Sequence, residues 1–198
     1  MLLSPFLRRA CLTLAVTAGL SVIGTGAAAQ TSSKGERYTA FAVNMAPMTA
    51  TFTTPVDITI DRWSTDAERD RMFSALAEAG PEKLLETVQK LPTVGRIRTP
   101  DSLGYDLHYA RRTLTGDGAE RVVIVTDRPI GFWEAANRPR VSDYPFTVIE
   151  LHVPPSSKGE GKISVATKIT FDKDTKTIML ENYAAQPVML SEVRREKK

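Results

Sequence analysis

Two short motifs in the sequence place a carboxylate and an imidazole two residues apart. They are Asp106-Leu107-His108 and Glu150-Leu151-His152. Residues two apart on a β-strand face the same side, so each pair has the composition of a general acid–base couple or of two ligands for a metal ion. The alternative for both pairs is the solvated polar face of a sheet.

The position of the two motifs in the chain argues against one shared metal site. A further strand, predicted from Arg121 to Arg128, lies between them in a simple meander. Two strand spacings of about 4.8 Å place the backbones roughly 10 Å apart, too far for parallel side chains to converge on one ion. We therefore expect no metal and no cofactor, unless barrel closure or a different strand order brings the motifs together.

A long connection between two predicted strands, from Thr126 to Tyr144, is rich in polar and aromatic residues. Long loops on rigid sheets often carry function. Arginine beside an exposed tryptophan can hold a carboxylate, a phosphate or a sugar through forked hydrogen bonds and stacking. The candidate binding residues here are Asp127, Arg128, Trp133, Glu134, Arg138 and Arg140. Alternatively, Trp133 closes one end of the core while the charged residues pair locally.

A second group of candidate binding residues lies on the strand predicted from Tyr105 to Leu114. Tyr105, Tyr109 and Arg111 are separated by even numbers of residues, which predicts that they share one face of the strand. Aromatic and basic side chains on one face could line a ligand cavity. They could equally form cross-strand pairs.

The sequence lacks the strong signatures of catalysis. It contains no G-x-S-x-G elbow, Walker loop, H-E-x-x-H motif or dinucleotide-binding glycine pattern. The one cysteine, Cys11, falls within an expected signal peptide, so zinc sites of the cysteine type and thiol hydrolases are excluded for the exported chain. A binding domain is therefore favoured over an enzyme.

The elements that must position these residues are mostly β-strands. Val56, Ile58 and Ile60 alternate with polar residues, which is the period of a strand with one buried face. Thr65 and Glu68 form a capping-box signature at the start of a helical pattern. We expect an α+β fold, predominantly antiparallel β, as a sandwich or barrel of about seven to nine strands with one helical hairpin near residues 65–91.

The N-terminus has the pattern of a secretory signal peptide. Arg8 and Arg9 precede an apolar run, and Ala27-Ala28-Ala29 supplies an A-x-A cleavage site. The apolar run is about a dozen residues, shorter than the roughly 20 of a membrane-spanning helix, so no transmembrane segment is expected after cleavage. We expect a periplasmic or secreted protein exported by the Sec route, with twin-arginine export as the alternative.

The expected organisation of the 198-residue chain is a signal peptide (1–30), a flexible leader (31–35), a single β-rich domain (36–193) and a charged tail (194–198). Much of the formal charge of +3 comes from the N-terminal segment. Without residues 1–30, 24 Lys and Arg residues face 23 Asp and Glu residues. No basic stripe interleaves with aromatic residues, so a nucleic-acid partner is not expected.

Two segments resemble those of an uncharacterised family of secreted bacterial proteins, a domain of unknown function. They are TDRPIGFWE at Thr126–Glu134 and LENYAAQP at Leu180–Pro187. The likeness runs across most of the chain that follows the signal peptide. It implies a bacterial envelope setting and brings no established activity, cofactor or catalytic residue.

These observations lead to one preferred function and two alternatives. The preferred function is a non-enzymatic domain that binds an unknown small molecule or an envelope protein through the Asp127–Arg140 loop. One alternative is a hydrolase or metal-dependent enzyme that uses the Asp106–His108 pair or the Glu150–His152 pair. The other is a structural envelope protein whose basic tail, Arg194–Lys198, touches anionic lipid.

Overall fold

The computed structural model describes residues 35–43, 53–100, 102–130, 144–156, 158–173, 177–182 and 187–196. These residues form β-strands and one helical element. In chain order they are β1 (Glu36–Val43), β2 (Thr53–Ile60), α1 (Asp66–Lys90), β3 (Gly95–Arg98), β4 (Tyr105–Leu107), β5 (Tyr109–Leu114), β6 (Glu120–Thr126), β7 (Phe146–Val153), β8 (Gly159–Asp172), β9 (Thr177–Asn182) and β10 (Val188–Glu196).

The strands form one antiparallel sheet that curls into a nearly closed barrel. Along the sheet they lie in the order β4-β3-β2-β1-β10-β8-β7-β6-β5, and β9 pairs with β8 outside this path. The predicted α+β fold with predominantly antiparallel strands is thereby confirmed. Of the two expected arrangements, the sheet adopts that of a barrel.

The two ends of the nearly closed barrel meet at His108. Strands β4 and β5 occupy the two ends of the sheet path, and this single residue joins them in the chain. Val94 N donates to Leu107 O at 2.7 Å on one side, and His108 N donates to Val125 O at 3.1 Å on the other. The sequence predicts one continuous strand from Tyr105 to Leu114. In the structure, Tyr105–Leu107 pairs with β3, whereas Tyr109–Leu114 pairs with β6. The pairing partner changes at His108 because the two edges of a curled sheet meet there.

The alternation of side chains shifts by one residue at this junction. Leu107 and Ala110 are both buried in the barrel core, whereas Tyr109 packs into a second apolar cluster. Tyr105 packs against the barrel core. The prediction that Tyr105, Tyr109 and Arg111 share one face is therefore wrong for Tyr105, because the sheet turns a corner between Tyr105 and the other two residues.

The barrel interior is filled with apolar side chains from strands around the whole sheet. The largest fully buried ones are Tyr38, Ile58, Ile60, Ile97, Leu107, Ile124, Ile149, Leu151 and Ile163. On β7, Ile149 and Leu151 face this core. Because side chains alternate along a strand, Glu150 and His152 face outward, on the surface of the barrel.

Helix α1 covers part of the outer face of the barrel. It is capped at Thr65, whose side chain forms the predicted capping box with Glu68. Gly80, at φ 81° and ψ −166°, interrupts the helical backbone, so the expected hairpin is one element divided into two helical segments. Leu76 of the first segment and Leu84 of the second pack into the same apolar cluster against the sheet. Among the described residues, no helix is long and apolar enough to cross a membrane.

Strand β10 extends into residues 194–198, the segment for which the sequence predicts a charged tail. It continues to Glu196, and Arg195 pairs with Tyr38 of β1 in the strand register. The Arg195 guanidinium also lies 3.0 Å from the Glu120 carboxylate. Strand β10 thus continues beyond the expected boundary at residue 193, and Arg194, Arg195 and Glu196 pair with β1.

Candidate functional site

A groove of about 460 Å³ runs between helix α1 and the outer face of the sheet. Its floor is formed by β5, β6, β7 and β8, and α1 and β9 supply its walls. This volume lies within the range of about 300–1,000 Å³ that is typical of small-molecule sites. The groove has an apolar half and a polar half.

The apolar half is formed by side chains from the helix and from four strands. They are Met72, Phe73, Leu76 and Leu84 of α1, Val125 of β6, Val148 of β7, Ile169 of β8, and Ile178 and Leu180 of β9. Phe73 is 46% exposed, although its ring makes an edge contact with Phe171 at 5.2 Å between ring centres. Exposed apolar side chains that converge in a concave site are typical of a binding surface.

The wall formed by β9 depends on the strand register. Leu180 pairs with Ile169 and Ile178 pairs with Phe171, and the side chains of Leu180 and Ile178 line the groove. Met179 lies between them and faces the opposite side of the strand. Met179 is 55% exposed and Ile178 is 51% exposed. Ile178 and Met179 are therefore matched in exposure, and Ile178 lies inside the groove whereas Met179 lies outside it.

The polar half of the groove is formed by Tyr109, by the arginines Arg69, Arg111 and Arg121, and by the carboxylates Asp70 and Glu150. Burial raises the pKa of the Tyr109 phenol, and the charges of Arg111 and Arg69 partly oppose this shift. The phenol therefore keeps its proton at neutral pH. Its hydroxyl can donate a hydrogen bond into the groove.

Carboxylates pair with the arginines of the polar half. Arg111 Nη1 donates to Asp66 Oδ1 at 2.7 Å, and this hydrogen bond lowers the pKa of the Asp66 carboxyl. Arg121 Nη2 donates to Glu150 Oε2 at 3.2 Å. The Lys162 ammonium lies 3.6 Å from the other oxygen of Glu150. These ion pairs orient the guanidinium groups at the edge of the groove.

Three of the candidate residues come together in the groove. Tyr109 and Arg111 lie two apart on β5, and Glu150 lies on β7 in the same row across the sheet as Arg111. The sheet register thus brings two residues of the group on the predicted Tyr105–Leu114 strand next to Glu150 of the Glu150–His152 pair. Asp106 lies elsewhere, with its carboxylate 3.2 Å from the Arg96 guanidinium and both side chains exposed.

His108 contacts Asp127 at the point where the barrel closes. Its Nε2 lies 3.5 Å from Asp127 Oδ1, and its Nδ1 donates to the Leu91 carbonyl oxygen at 3.2 Å. The side chains of His108 and Asp127 are largely buried, and Arg128 Nε lies 3.3 Å from the same carboxylate oxygen. Asp106 contacts Arg96, whereas His108 contacts Asp127 and Leu91. The two residues of the expected acid–base couple therefore have different partners.

Glu150 and His152 share the outer face of β7, as their spacing predicts. His152 is 40% exposed, and its Nε2 lies 3.7 Å from Asp117 Oδ2. Through β6, the register aligns His152 with Thr113 of β5, which is five residues or roughly 17 Å from His108 along the strand. The two histidines therefore do not share a site. Within the described ranges, His, Asp and Glu side chains form no group of three or more that could hold a metal ion.

The predicted binding loop is described only at its start. Asp127 and Arg128 belong to the described residues, and Arg128 is exposed. The other four candidates, Trp133, Glu134, Arg138 and Arg140, lie outside the described residues. Their role in binding stays a prediction.

A second charged cluster lies at one end of the barrel, where β1 and β6 begin. Arg112 Nη1 lies 2.7 Å from Glu36 Oε1 and 3.6 Å from Glu120 Oε1, and its guanidinium lies 5.1 Å from the centre of the Trp63 ring. The Tyr38 hydroxyl donates to Glu36 Oε2 at 2.8 Å. Arg195 Nη1 lies 3.0 Å from Glu120 Oε1, so that two arginines face two carboxylates in this cluster. This balance of charge favours a structural role at the barrel end.

The sequence does not indicate several residues of the groove as binding residues, among them Phe73, Arg69 and Arg121. One usable signal is the run of three apolar residues Ile178–Leu180 within a strand. A strand with such a run has apolar side chains on both of its faces. When only one face packs against the rest of the protein, the apolar side chains on the other face stay exposed. The helical spacing of Phe73 was ambiguous, because a phenylalanine at that spacing is more often part of a core.

Comparisons of the chain with known protein families, with curated proteins and with solved structures find no match. The functional interpretation therefore depends on the groove itself. Its informative features are a concave shape, exposed apolar side chains in one half, and arginines with a buried phenol in the other.

Proposed function

We propose that the protein is an exported, non-enzymatic domain that binds a small, largely apolar molecule in the groove between α1 and the sheet. The observation that carries this proposal is the exposure of Phe73, Ile178 and Leu180 inside a concave site of about 460 Å³. Burying a fully exposed aliphatic or aromatic side chain stabilises by about 1.5–3 kcal/mol. Because these three side chains are already about half-buried, a ligand that covers them gains about half of that free energy for each.

The shape of the groove favours a small molecule over an envelope protein as the partner. The apolar side chains lie on a floor between two walls, the helix and β9. A standard protein interface buries about 800 Å² on each partner and extends over a broad surface. A concave site of about 460 Å³ fits a small molecule better than a second folded surface.

The groove is built on elements that are fixed at several points. At the N-terminal end of α1, Arg62 donates two hydrogen bonds to Glu68, which also accepts from the Thr65 backbone. At the C-terminal end, His108 donates to the carbonyl oxygen of Leu91. Walls that are held in place before the ligand arrives reduce the entropic cost of binding.

Export is supported by the pattern of the N-terminal segment. Arg8 and Arg9, the apolar run that follows them and Ala27-Ala28-Ala29 occur in the order of a signal peptide. A domain that binds an apolar molecule in an aqueous compartment keeps that molecule in solution. A periplasmic or secreted setting is therefore part of the proposal.

A catalytic function for the histidines has weaker support. A general base needs a ring nitrogen that faces the proton to be removed. At His108, one ring nitrogen faces the Leu91 carbonyl and the other faces Asp127. His152 is exposed beside Asp117 on a surface shared with ion-paired Glu150. Binding is therefore preferred to hydrolysis.

The neutral dye N-phenyl-1-naphthylamine, which fluoresces strongly in apolar surroundings, tests the proposed function. We expect the purified chain to give a saturable increase in dye fluorescence. Replacing both groove residues of β9, by Ile178→Ser and Leu180→Ser, should weaken dye binding by about tenfold or more. Met179→Ser, on the opposite face of the same strand, should bind the dye like the wild type. No binding to the wild type, or equal weakening by Met179→Ser, would overturn the proposal.

A further inference from the structure

We infer that the ligand of the groove is a single-chain amphiphile whose polar end is a carboxylate, held by Arg111, Arg121 and the Tyr109 hydroxyl. This inference rests on the proposed binding function and specifies the chemical class of its ligand. The two halves of the groove meet at Tyr109. The residue belongs to the apolar cluster under the helix, and its hydroxyl interacts with Arg111.

Positive charge exceeds negative charge by one among the side chains that line the polar half. Three arginines, Arg69, Arg111 and Arg121, and two carboxylates, Asp70 and Glu150, line the polar half among the described residues. Their ion-pair partners outside the lining, Asp66 and Lys162, add one charge of each sign. A ligand with one negative charge neutralises the excess, whereas a ligand with one positive charge doubles it.

The arginines have hydrogen-bonding capacity beyond their ion pairs. A guanidinium carries five N–H donors in a planar fork that matches a carboxylate. Arg121 donates to Glu150 through Nη2, and Arg111 donates to Asp66 through Nη1. Their further N–H groups can bind a second carboxylate. Such charge-assisted hydrogen bonds are stronger than those made to a neutral hydroxyl group.

The strand register sets the order of polar and apolar contacts along the ligand. Arg111 and Glu150 lie in one row across the floor of the groove, and Tyr109 and Val148 lie in the next row. The rows are two residues apart, or about 7 Å along the strands. A carboxylate in the first row therefore places the attached chain over the second row, from which it continues toward Leu180 of β9.

Three compounds of one chain length test the charge of the polar end: decanoate, decan-1-ol and decylamine. Isothermal titration of the purified chain at pH 7 and low salt should show decanoate binding about tenfold more tightly than decan-1-ol, with decylamine weakest. Equal affinities for decanoate and decan-1-ol would overturn the carboxylate inference and leave the apolar binding function standing. Absence of binding by all three compounds would overturn both.

The variant Arg121→Gln tests the arginine contribution at the same site. Arg121 is suitable because its side chain is 54% exposed and pairs with Glu150 rather than with the helix. The matched control is Arg96→Gln, whose side chain is 60% exposed and pairs with Asp106 outside the groove. Arg121→Gln should lose about tenfold in decanoate affinity and clearly less in decan-1-ol affinity, because its hydrogen bonds to a neutral hydroxyl group are weaker. No loss in Arg121→Gln, or equal loss in Arg96→Gln, would overturn the inference.

Discussion

The imidazole of His108 donates a hydrogen bond from Nδ1 to the carbonyl oxygen of Leu91, at 3.2 Å. This bond connects the residue at which the barrel closes to the C-terminal cap of the helix that walls the groove. The other ring nitrogen lies 3.5 Å from Asp127 at the end of β6. One side chain therefore links barrel closure, helix position and the start of the loop after β6.

Replacing His108 by alanine should destabilise the fold. The Leu91 carbonyl oxygen would lose the hydrogen bond from Nδ1, and a loss of this kind costs about 1–3 kcal/mol. Urea unfolding followed by circular dichroism measures the change. The control is His152→Ala, an exposed imidazole, which should stay within about 0.5 kcal/mol of the wild type. Equal destabilisation by the two variants would contradict the linking role of His108.

Glu68→Gln should destabilise the chain at neutral pH by about 1–2 kcal/mol, because Glu68 completes the capping box and accepts two hydrogen bonds from Arg62. Hydrogen bonding from Arg62 lowers the pKa of Glu68 in the folded protein. The stabilisation is therefore present above the ordinary carboxyl pKa of 4.5 and is lost as the pH falls through the folded value.

Thermal unfolding of the wild type and Glu68→Gln across this acid range measures the effect. The difference in melting temperature should narrow as the pH falls below 4.5, the ordinary value. Glu86→Gln, which removes an exposed carboxylate paired with Lys83, should show no resolvable difference at neutral pH. A Glu68→Gln difference that is independent of pH would show that the carboxylate charge does not stabilise the helix.

Tyr38→Phe should change the response of the protein to alkaline pH. Burial raises the pKa of Tyr38 far above the ordinary value of 10.0, and the hydrogen bond to Glu36 raises it further. The unfolded chain ionises this phenol above pH 10.0 while the folded protein keeps it neutral, so stability present below that pH declines above it. The phenylalanine variant lacks this contribution. Its unfolding free energy should therefore fall less steeply above pH 10.0 than that of the wild type, and identical slopes would contradict the assignment.

Deleting Arg194–Lys198 should lower the melting temperature. Strand β10 continues to Glu196, and the deletion removes the backbone pairing of this segment with β1 together with the Arg195–Glu120 ion pair. Differential scanning calorimetry measures the change. A truncated chain with wild-type stability that has lost salt-sensitive binding to anionic vesicles would instead support the membrane-surface alternative for this segment.

Much of the fold follows from local patterns. The alternation of Val56, Ile58 and Ile60 identifies β2, and the Thr65–Glu68 box identifies the start of α1, because both signals arise from contacts within a few residues. The closure at His108 has no such local signal. The pattern of apolar and polar residues from Tyr105 to Leu114 predicts one strand. In the structure its first part pairs with β3 and its second part with β6, and this change of partner depends on the curvature of the whole sheet.

The groove was harder to predict for the same reason. Arg111 and Glu150 are 39 positions apart in the chain, and the register through β6 brings them into one row. Phe73 and Ile178 line the same groove because the helix and the β8–β9 pair meet over the outer face of the barrel. Their meeting is a property of tertiary packing, so neither residue type nor spacing reveals it.

The most direct test of the groove as a binding site is a map of amide NMR shifts of the wild-type chain during titration with decanoate. The largest shifts should come from backbone amides of the groove, at Leu76, Val148 and Leu180. Amides at Asp57 and Arg96, which lie on strands outside the groove, should move little. Saturable shifts confined to the groove are the predicted result. No shifts, or shifts concentrated around β2 and β3, would contradict the assignment of this groove as the binding site.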